Sequence, residues 1–326
     1  MTEDEVIAKI AELCRVTGNG VKLGIGDDAA LWQPSRSHRS AISSDMLVED
    51  VDFTRDAMSL RDAGWRAMAA NLSDLAAMGA RPVLGTVALG FSLGSSCEEI
   101  LELYSGIAAC AARFKLAIVG GDLSRARGLT IAVTVVGEVR TSNVKLRDGG
   151  RPGQVLAVTG PLGAARAGLE LTRDPAATNV EGREEAIEAF RRPQPRVAEG
   201  KFLGASRNVT AMTDLSDGLS TDVHRLAAAS GCGATLEGVP VAVSARAVAQ
   251  LHGEDADDFA LKGGDDFELL VAIRPRAFGH LARCYEKRFG RELCRVGALS
   301  TERGVTYRGK TLEPSGWDHF AQQAAT

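Results

Sequence analysis

The chain's 326 residues are enough for two domains, and its 45% hydrophobic and 25% charged residues are the proportions of a globular protein, not of a fibrous or disordered one. A net charge of −4 with no basic tract leaves no electrostatic footprint for a nucleic acid, and no segment reaches the roughly 18 apolar residues of a membrane span. Met1 to Cys14 is acidic and amphipathic, without the basic start and apolar run of a signal peptide, so a cytoplasmic protein is expected. The six cysteines are scattered with no C-x-x-C pair and fit buried or incidental thiols in a reducing compartment; the five histidines lack zinc-hydrolase spacing.

In chain order, residues 3–14 read as a short helix. Val21-Lys22-Leu23 leads into Gly24-Ile25-Gly26-Asp27-Asp28, the first of a series of acidic corners. Gly-Asp-Asp is a common turn, and a carboxylate beside glycine is also material for a hard cation. Residues 40–44 read as a strand running into Asp45 beside Ser43 and Ser44, which fits either a strand-end turn or hydroxyl-plus-carboxylate ligation of Mg²⁺. A helix is expected over about 62–78, with Trp65, Ala69, Leu72 and Ala76 as its buried stripe and Gly79 as its stop. Asn71, Asp74 and Met78 fall on a neighbouring stripe, so Asp74 looks toward solvent or a site, at a position where aspartate costs helix propensity.

Residues 83–91 read as a strand, 97–114 as a helix with Ile100, Leu103, Ile107, Ala111 and Phe114 on one face, and Leu116 to Val119 as a strand ending at Gly120-Gly121-Asp122. That corner offers backbone N–H groups to a phosphate and a carboxylate to a bridging metal. Leu129 to Val139 is another strand, and the turn formers of Arg147 to Gly153 mark the domain boundary. Arg147 there is either a solvated loop arginine or a phosphate clamp.

Beyond it, Val155 to Thr159 reads as a strand and Gly160 to Leu171 as a helix, while the polar stretch 173–189 is either an insertion or an exposed helix. Val209 to Met212 is a strand entering Asp214-Leu215-Ser216-Asp217-Gly218, where Ser216 or Asp217 is expected to cap the helix from about Gly218 to Ser230. Gly263-Gly264-Asp265-Asp266 precedes an apolar strand from Phe267 to Ile273, and strand and helix then alternate to Phe320.

Singly, each corner is a weak signal. Several of them converging would hold more than one Mg²⁺, the usual equipment for a nucleoside triphosphate. No G-x-x-x-x-G-K-[ST], no H-R-D or D-F-G set and no Ser or Cys nucleophile signature is present, so P-loop and protein-kinase chemistry are excluded.

The run Gly24–Leu31, Ser43-Ser44-Asp45-Met46-Leu47-Val48-Glu49, Asn71-Leu72-Ser73-Asp74-Leu75-Ala76-Ala77-Met78-Gly79-Ala80, Gly120-Gly121-Asp122, Asp214–Ser220, Gly263–Leu269 and the closing Gly316-Trp317-Asp318-His319-Phe320 resembles the thiamine-monophosphate kinases, in the right order over nearly the whole chain. The acidic corners alone resemble the wider superfamily of aminoimidazole-ribonucleotide synthetase, selenophosphate synthetase and the hydrogenase-maturation dehydratase. Against selenophosphate synthetase, no reactive cysteine is expected near the N-terminal glycine-rich region, since Cys14 falls in the first helix. Against the hydrogenase enzyme, no terminal cysteine is present.

The resemblance implies transfer of the ATP γ-phosphoryl group to thiamine monophosphate. It implies an α/β (α+β), two-domain PurM-like fold: residues 1–148 as an ATP- and Mg-binding domain that dimerises through its sheet, and 149–326 as an α/β domain completing the site. Asp28, Ser43, Ser44, Asp45, Asp74, Asp122, Asp214 and Asp217 would hold several Mg²⁺; Tyr104, Gly121, Asp122, Arg147 and Ser216 would lie at ATP. Asp52, Asp265 and Trp317 would lie at the thiamine phosphate; Asp52 stands where the family usually has His, and Asp265 where it usually has Glu. A homodimer is expected, with no covalent nucleophile, no general base, no nucleic acid and no membrane.

Overall fold

A helix that carries acidic residues into a site must be gripped on its other sides, and the longest helix among the described residues is gripped on three. The structure, a computed structural model, describes residues 2–14, 20–26 and 29–316. It divides into two compact units, Met1–Val144 with Arg191–Arg207, and Lys145–Phe190 with Asn208–Thr326.

The first unit runs α1 (Glu3–Leu13), β1 (Val21–Leu23), β2 (Leu31–Trp32), β3 (His38–Val48), α2 (Leu60–Ala77), β4 (Arg81–Phe91), α3 (Cys97–Arg113), β5 (Ala117–Arg125) and β6 (Thr130–Arg140). Its sheet has the order β3-β6-β4-β5, with β4 and β5 parallel across the α3 connection and the other pairs antiparallel. Ser59 caps α2 by accepting from the Asp62 N–H, and Gly79, at φ +70°, follows its last turn. α2 is buried on far more than the expected stripe, with Ala67, Met68, Leu72 and Ala76 all at 0% exposure. The reason is a close crossing with α3: a Cβ on Gly64 would lie 2.1 Å from Leu103 O, and one on Gly106 would lie 1.8 Å from Arg61 O. Only glycine at both positions lets the two backbones touch.

The second unit begins with β7 (Val155–Val158), α4 (Ala164–Arg173) and α5 (Arg183–Arg191), so the polar stretch after α4 does contain a helix. The chain then supplies α6 (Val197–Ala205), which belongs to the first unit and closes the third side of α2. Trp65 Nε1 donates to Pro193 O at 2.9 Å, Arg191 Nε to Ala57 O at 2.9 Å, and Arg192 Nε to the Asp62 carboxylate at 2.5 Å. The second unit resumes with β8 (Val209–Asp214), α7 (Leu219–Ala229), β9 (Gly233–Leu236), α8 (Val243–His252), α9 (Ala256–Lys262), β10 (Leu269–Ile273), α10 (Pro275–Phe289), β11 (Cys294–Ser300), β12 (Val305–Tyr307) and β13 (Lys310–Thr311). Its sheet order is β13-β12-β9-β11-β7-β10-β8. β10 is buried at every residue, as its unbroken apolar run requires of a strand covered on both faces. Leu156, Leu162, Leu219, Val223, Leu226, Leu270 and Val296 form the core beside it.

Of the elements that differ from the sequence reading, three carry acidic corners, and α4 starts at Ala164 where a helix from Gly160 was expected. β3 does not stop at Asp45 but continues to Val48, and β5 runs straight through Gly120-Gly121-Asp122 to Arg125. β10 starts two residues late, because Phe267 adopts φ +48° and cannot pair as a strand residue.

Candidate functional site

In the first unit, strand alternation sets which acidic-corner residues meet. Ser43 and Asp45 are half-buried, and Ser44 between them is exposed on the opposite face, where its Oγ lies 2.9 Å from Thr134 Oγ1. Ser43 Oγ donates to Asp74 Oδ2, which joins β3 to α2. Asn71, fully buried one turn earlier on α2, accepts from the Asp45 backbone N–H through Oδ1 at 3.1 Å and donates to Ala67 O at 3.0 Å. Burial and the nearby Asp74 charge push the Asp45 carboxyl up to about 6. The structure therefore brings Ser43, Asp45 and Asp74 together and leaves Ser44 apart from them.

Gly121 sits in β5 opposite Val87, and a Cβ there would lie 2.0 Å from Val87 O. Its glycine is required by the close approach of β4, whatever else the backbone does. Asp45, Val133, Val87 and Gly121 form one row across the four strands. Three inter-strand spacings separate the ends of that row by about 14 Å. Asp122, next to Gly121, is exposed and accepts from Ser124 Oγ at 2.5 Å. Tyr104 on α3 is 3% exposed, and burial, with Cys14 and Asp122 adding, holds its phenol well above the ordinary range. The ring is enclosed almost completely by the packing of α3. Asp52 closes the turn after β3: its Oδ2 accepts from the Val48 N–H at 2.8 Å.

In the second unit, Asp214 is 3% exposed at the end of β8, where it pairs with Leu269. Asp217 does not cap α7. The cap position is Gly218 at φ +102°, and no side chain bonds there as a cap. Instead Asp222, inside the first turn, reaches back to accept from the Asp217 N–H at 3.1 Å. Arg225 then bridges the Asp217 and Asp222 carboxylates. Burial and Asp217 push the Asp222 carboxyl up to about 6 against the pull of Arg225 and the N–H. Arg147 is exposed, and its Nε donates to Thr213 Oγ1 at 3.0 Å. The Ser216 carbonyl accepts from the Asp265 N–H at 2.7 Å, and Asp265 adopts φ +62°. Asp28 and Trp317 lie outside the described residues.

Among the described residues, no group of three or more His, Cys, Asp or Glu side chains is arranged to hold a metal ion. What each unit shows is smaller: a carboxylate pair with a hydroxyl in the first, and a carboxylate pair bridged by arginine in the second. Asn71, Thr213, Asp222 and Arg225 were not singled out from the sequence as site residues. Asn71 had a signal, since it shares a helix stripe with Asp74. Asp222 and Arg225 had the i,i+3 spacing of a helical ion pair, but their contacts with Asp217 are set by the turn after β8, and Thr213 had no signal because its partner, Arg147, is distant in sequence.

The description "AIR synthase related protein, N-terminal domain" matches residues 26–139, and "AIR synthase related protein, C-terminal domain" matches residues 151–299. The thiamine-monophosphate kinase of Rhodopirellula baltica is 35% identical over 314 residues, covering 92% of each chain. The crystal structure of thiamine-monophosphate kinase from Stenotrophomonas maltophilia K279a is 34% identical, with a TM-score of 0.82 over 94% of this chain and 96% of that one. The structure of AaThiL complexed with AMPPCP and TMP is 27% identical, with a TM-score of 0.78 over 98% and 97% of the two chains. The identity runs through both domains and nearly the full length of both proteins, beyond what the shared superfamily fold requires, and so the chain belongs to the thiamine-monophosphate kinase family.

Proposed function

We propose that this chain transfers the γ-phosphoryl group of ATP to thiamine monophosphate, giving thiamine diphosphate. The observation that carries the reading is 35% identity to a thiamine-monophosphate kinase over 92% of both chains. The relative complexed with AMPPCP and TMP supports the choice of donor and acceptor.

The donor chemistry fits Mg²⁺. Ser43, Asp45 and Asp74 offer only oxygen, and burial first and the Asp74 charge second raise the Asp45 carboxyl, so a divalent cation would relieve a cost already built into the fold. These three would hold one ion. Asp122, one residue past the far end of the Asp45 row and in register with Met46 through Ala88 and Ala132, stands too far across the sheet to share it. Asp122 would therefore serve a second ion, and Asp28, Asp214 and Asp217 would complete the set. When bound, Mg²⁺ neutralises charge on the two reacting phosphates.

The remaining work falls to orientation. Arg147, fixed at Nε by Thr213, presents a planar cation suited to a phosphate. Ser216 and Gly121 lie where backbone approaches closely, and the Asp265 N–H donates to the Ser216 carbonyl. The attacking atom is a phosphate oxygen of thiamine monophosphate, deprotonated near neutral pH, so no general base and no phosphoenzyme are needed and transfer is in line. We further propose a homodimer formed through the sheet of the first unit. Ile42 and Met46, on the face of β3 opposite Asp45, are 71% and 59% exposed, an apolar pair that a second copy would cover.

The test is incubation with Mg·ATP and thiamine monophosphate, following thiamine diphosphate as its fluorescent oxidised derivative. Product that depends on protein, Mg²⁺ and ATP is the expected result. ATP binding without product would refute it, and would point to another acceptor or to a non-catalytic nucleotide-binding role.

A further inference from the structure

α4 begins without a local cap. Its N-cap residue is Gly163, at φ +87°, and no cap side chain bonds the first turn. The first N–H groups of a helix have no partner within it. Here they find one far away in sequence: Gly163 N donates to Asp266 Oδ2 at 2.7 Å, and Ala165 N lies 3.4 Å from Asp266 Oδ1.

Asp266 belongs to the loop between α9 and β10, and that loop is held in an unusual shape. The residues on either side of it, Asp265 and Phe267, both adopt left-handed backbone angles of φ +62° and +48°. Side chains other than glycine rarely adopt these angles and keep them only where the surroundings over-determine them. Two of the restraints are backbone bonds to the corner after β8: Asp265 N donates to Ser216 O at 2.7 Å and Phe267 N to Leu215 O at 2.9 Å. The third is the Asp266 side chain itself, which ties the same loop to α4. Three segments of the second unit thus meet at one residue.

We propose that Asp266 is a positioning residue for the transfer site: by capping α4 it locks the loop that carries Asp265 against Ser216. This rests on the reading of Asp265 as a contact for the thiamine phosphate and of Ser216 as a contact for ATP. The Asp266 carboxylate itself is turned to the first turn of α4. Its loss is expected to let Asp265 wander and to weaken thiamine monophosphate more than ATP.

The experiment pairs kinetics with hydrogen exchange on the full chain. Asp266→Ala is expected to raise KM for thiamine monophosphate about tenfold while kcat stays within about threefold, and Asp266→Asn, which keeps one acceptor oxygen, is expected to fall between Ala and wild type. In the substrate-free protein, Asp266→Ala is expected to speed exchange at the Gly163, Asp265 and Phe267 amides and leave the β10 ladder at Val271 unchanged. Wild-type exchange at those three amides would overturn the proposal. So would a loss of active fraction with unchanged KM, which is what a purely structural residue would give. If Asp266→Ala also loosens Val271, Asp266→Asn decides on the same two criteria. If the wild-type protein makes no thiamine diphosphate, the kinase reading falls on its own, and the exchange pattern still decides whether Asp266 holds the loop.

Discussion

Asp74→Asn is expected to move stability and function in opposite directions. The Asp45 carboxyl is pushed from an ordinary 3.8 up to about 6, by burial first and by the Asp74 charge second. A raised carboxyl pKa is a cost of folding: the unfolded chain ionises near pH 4 and the folded one resists, so stability falls as pH rises from about 4 through about 6 and the full cost persists above that. A shift near two units corresponds to about 3 kcal/mol, and the Asp74 share is the smaller part, about 1 kcal/mol. Asparagine removes the charge and keeps an oxygen for Ser43. In EDTA at pH 7.5 the variant should therefore melt about 2–4 °C above wild type, the usual scale for 1 kcal/mol in a unit of this size. The gain should fade as the pH is lowered through about 6. In Mg²⁺ the order should reverse, because the variant has lost an anionic ligand, and turnover should drop sharply with the fold intact. Near-wild-type turnover at saturating Mg²⁺, or no gain in EDTA at pH 7.5, would refute the reasoning.

Asn71→Ala removes the side-chain acceptor and strands the Asp45 N–H, so a loss of about 1–3 kcal/mol is expected in urea unfolding, together with weaker Mg²⁺ stabilisation; a change under about 0.5 kcal/mol would count against Asn71 as the clamp. Gly121→Ala places a methyl 2.0 Å from Val87 O, and since β5 is an edge strand it should shift at a cost of about 1–3 kcal/mol, seen as a lower melting midpoint and a raised KM for ATP. Ile42→Glu, on an exposed apolar position, should leave the melting midpoint of a monomer unchanged and dissociate a sheet-to-sheet dimer, read by sedimentation; an unaltered oligomer would place the interface elsewhere.

The acidic corners were legible because aspartate beside glycine next to an apolar run is a local signal. Their shapes were not. Ser43-Ser44-Asp45 looked like a strand end because polar residues occupy the half-buried face of β3, while Ile42 and Met46 take the exposed one, an inversion of the usual pattern. Gly120-Gly121-Asp122 looked like a turn because the reason for Gly121 is a carbonyl on another strand. The expected cap on α7 was replaced by Asp222, five residues beyond the atom it bonds, and the cap on α4 came from Asp266, separated from it by most of the second unit. Non-local pairings of this kind leave no periodicity to read. Of the expected α2 stripe, Ala69, Leu72 and Ala76 are buried and Trp65 is half-buried, while burial on the remaining sides came from Gly64 meeting α3 and from a segment more than a hundred residues downstream.

That downstream segment has a consequence for how the protein is made. When a ribosome has released the chain as far as Val144, Trp65 and Asp62 have not yet met Pro193 and Arg192. At ~5–20 residues per second, a helix rich in buried alanine waits several seconds with one flank uncovered while part of the other unit is synthesised. Neither unit is a cassette that a gene break at the linker could release whole. A fragment ending at the linker would carry an open apolar groove along α2 and invite aggregation, and recombination between relatives would preserve both units only with crossovers that keep residues 191–207 with the first.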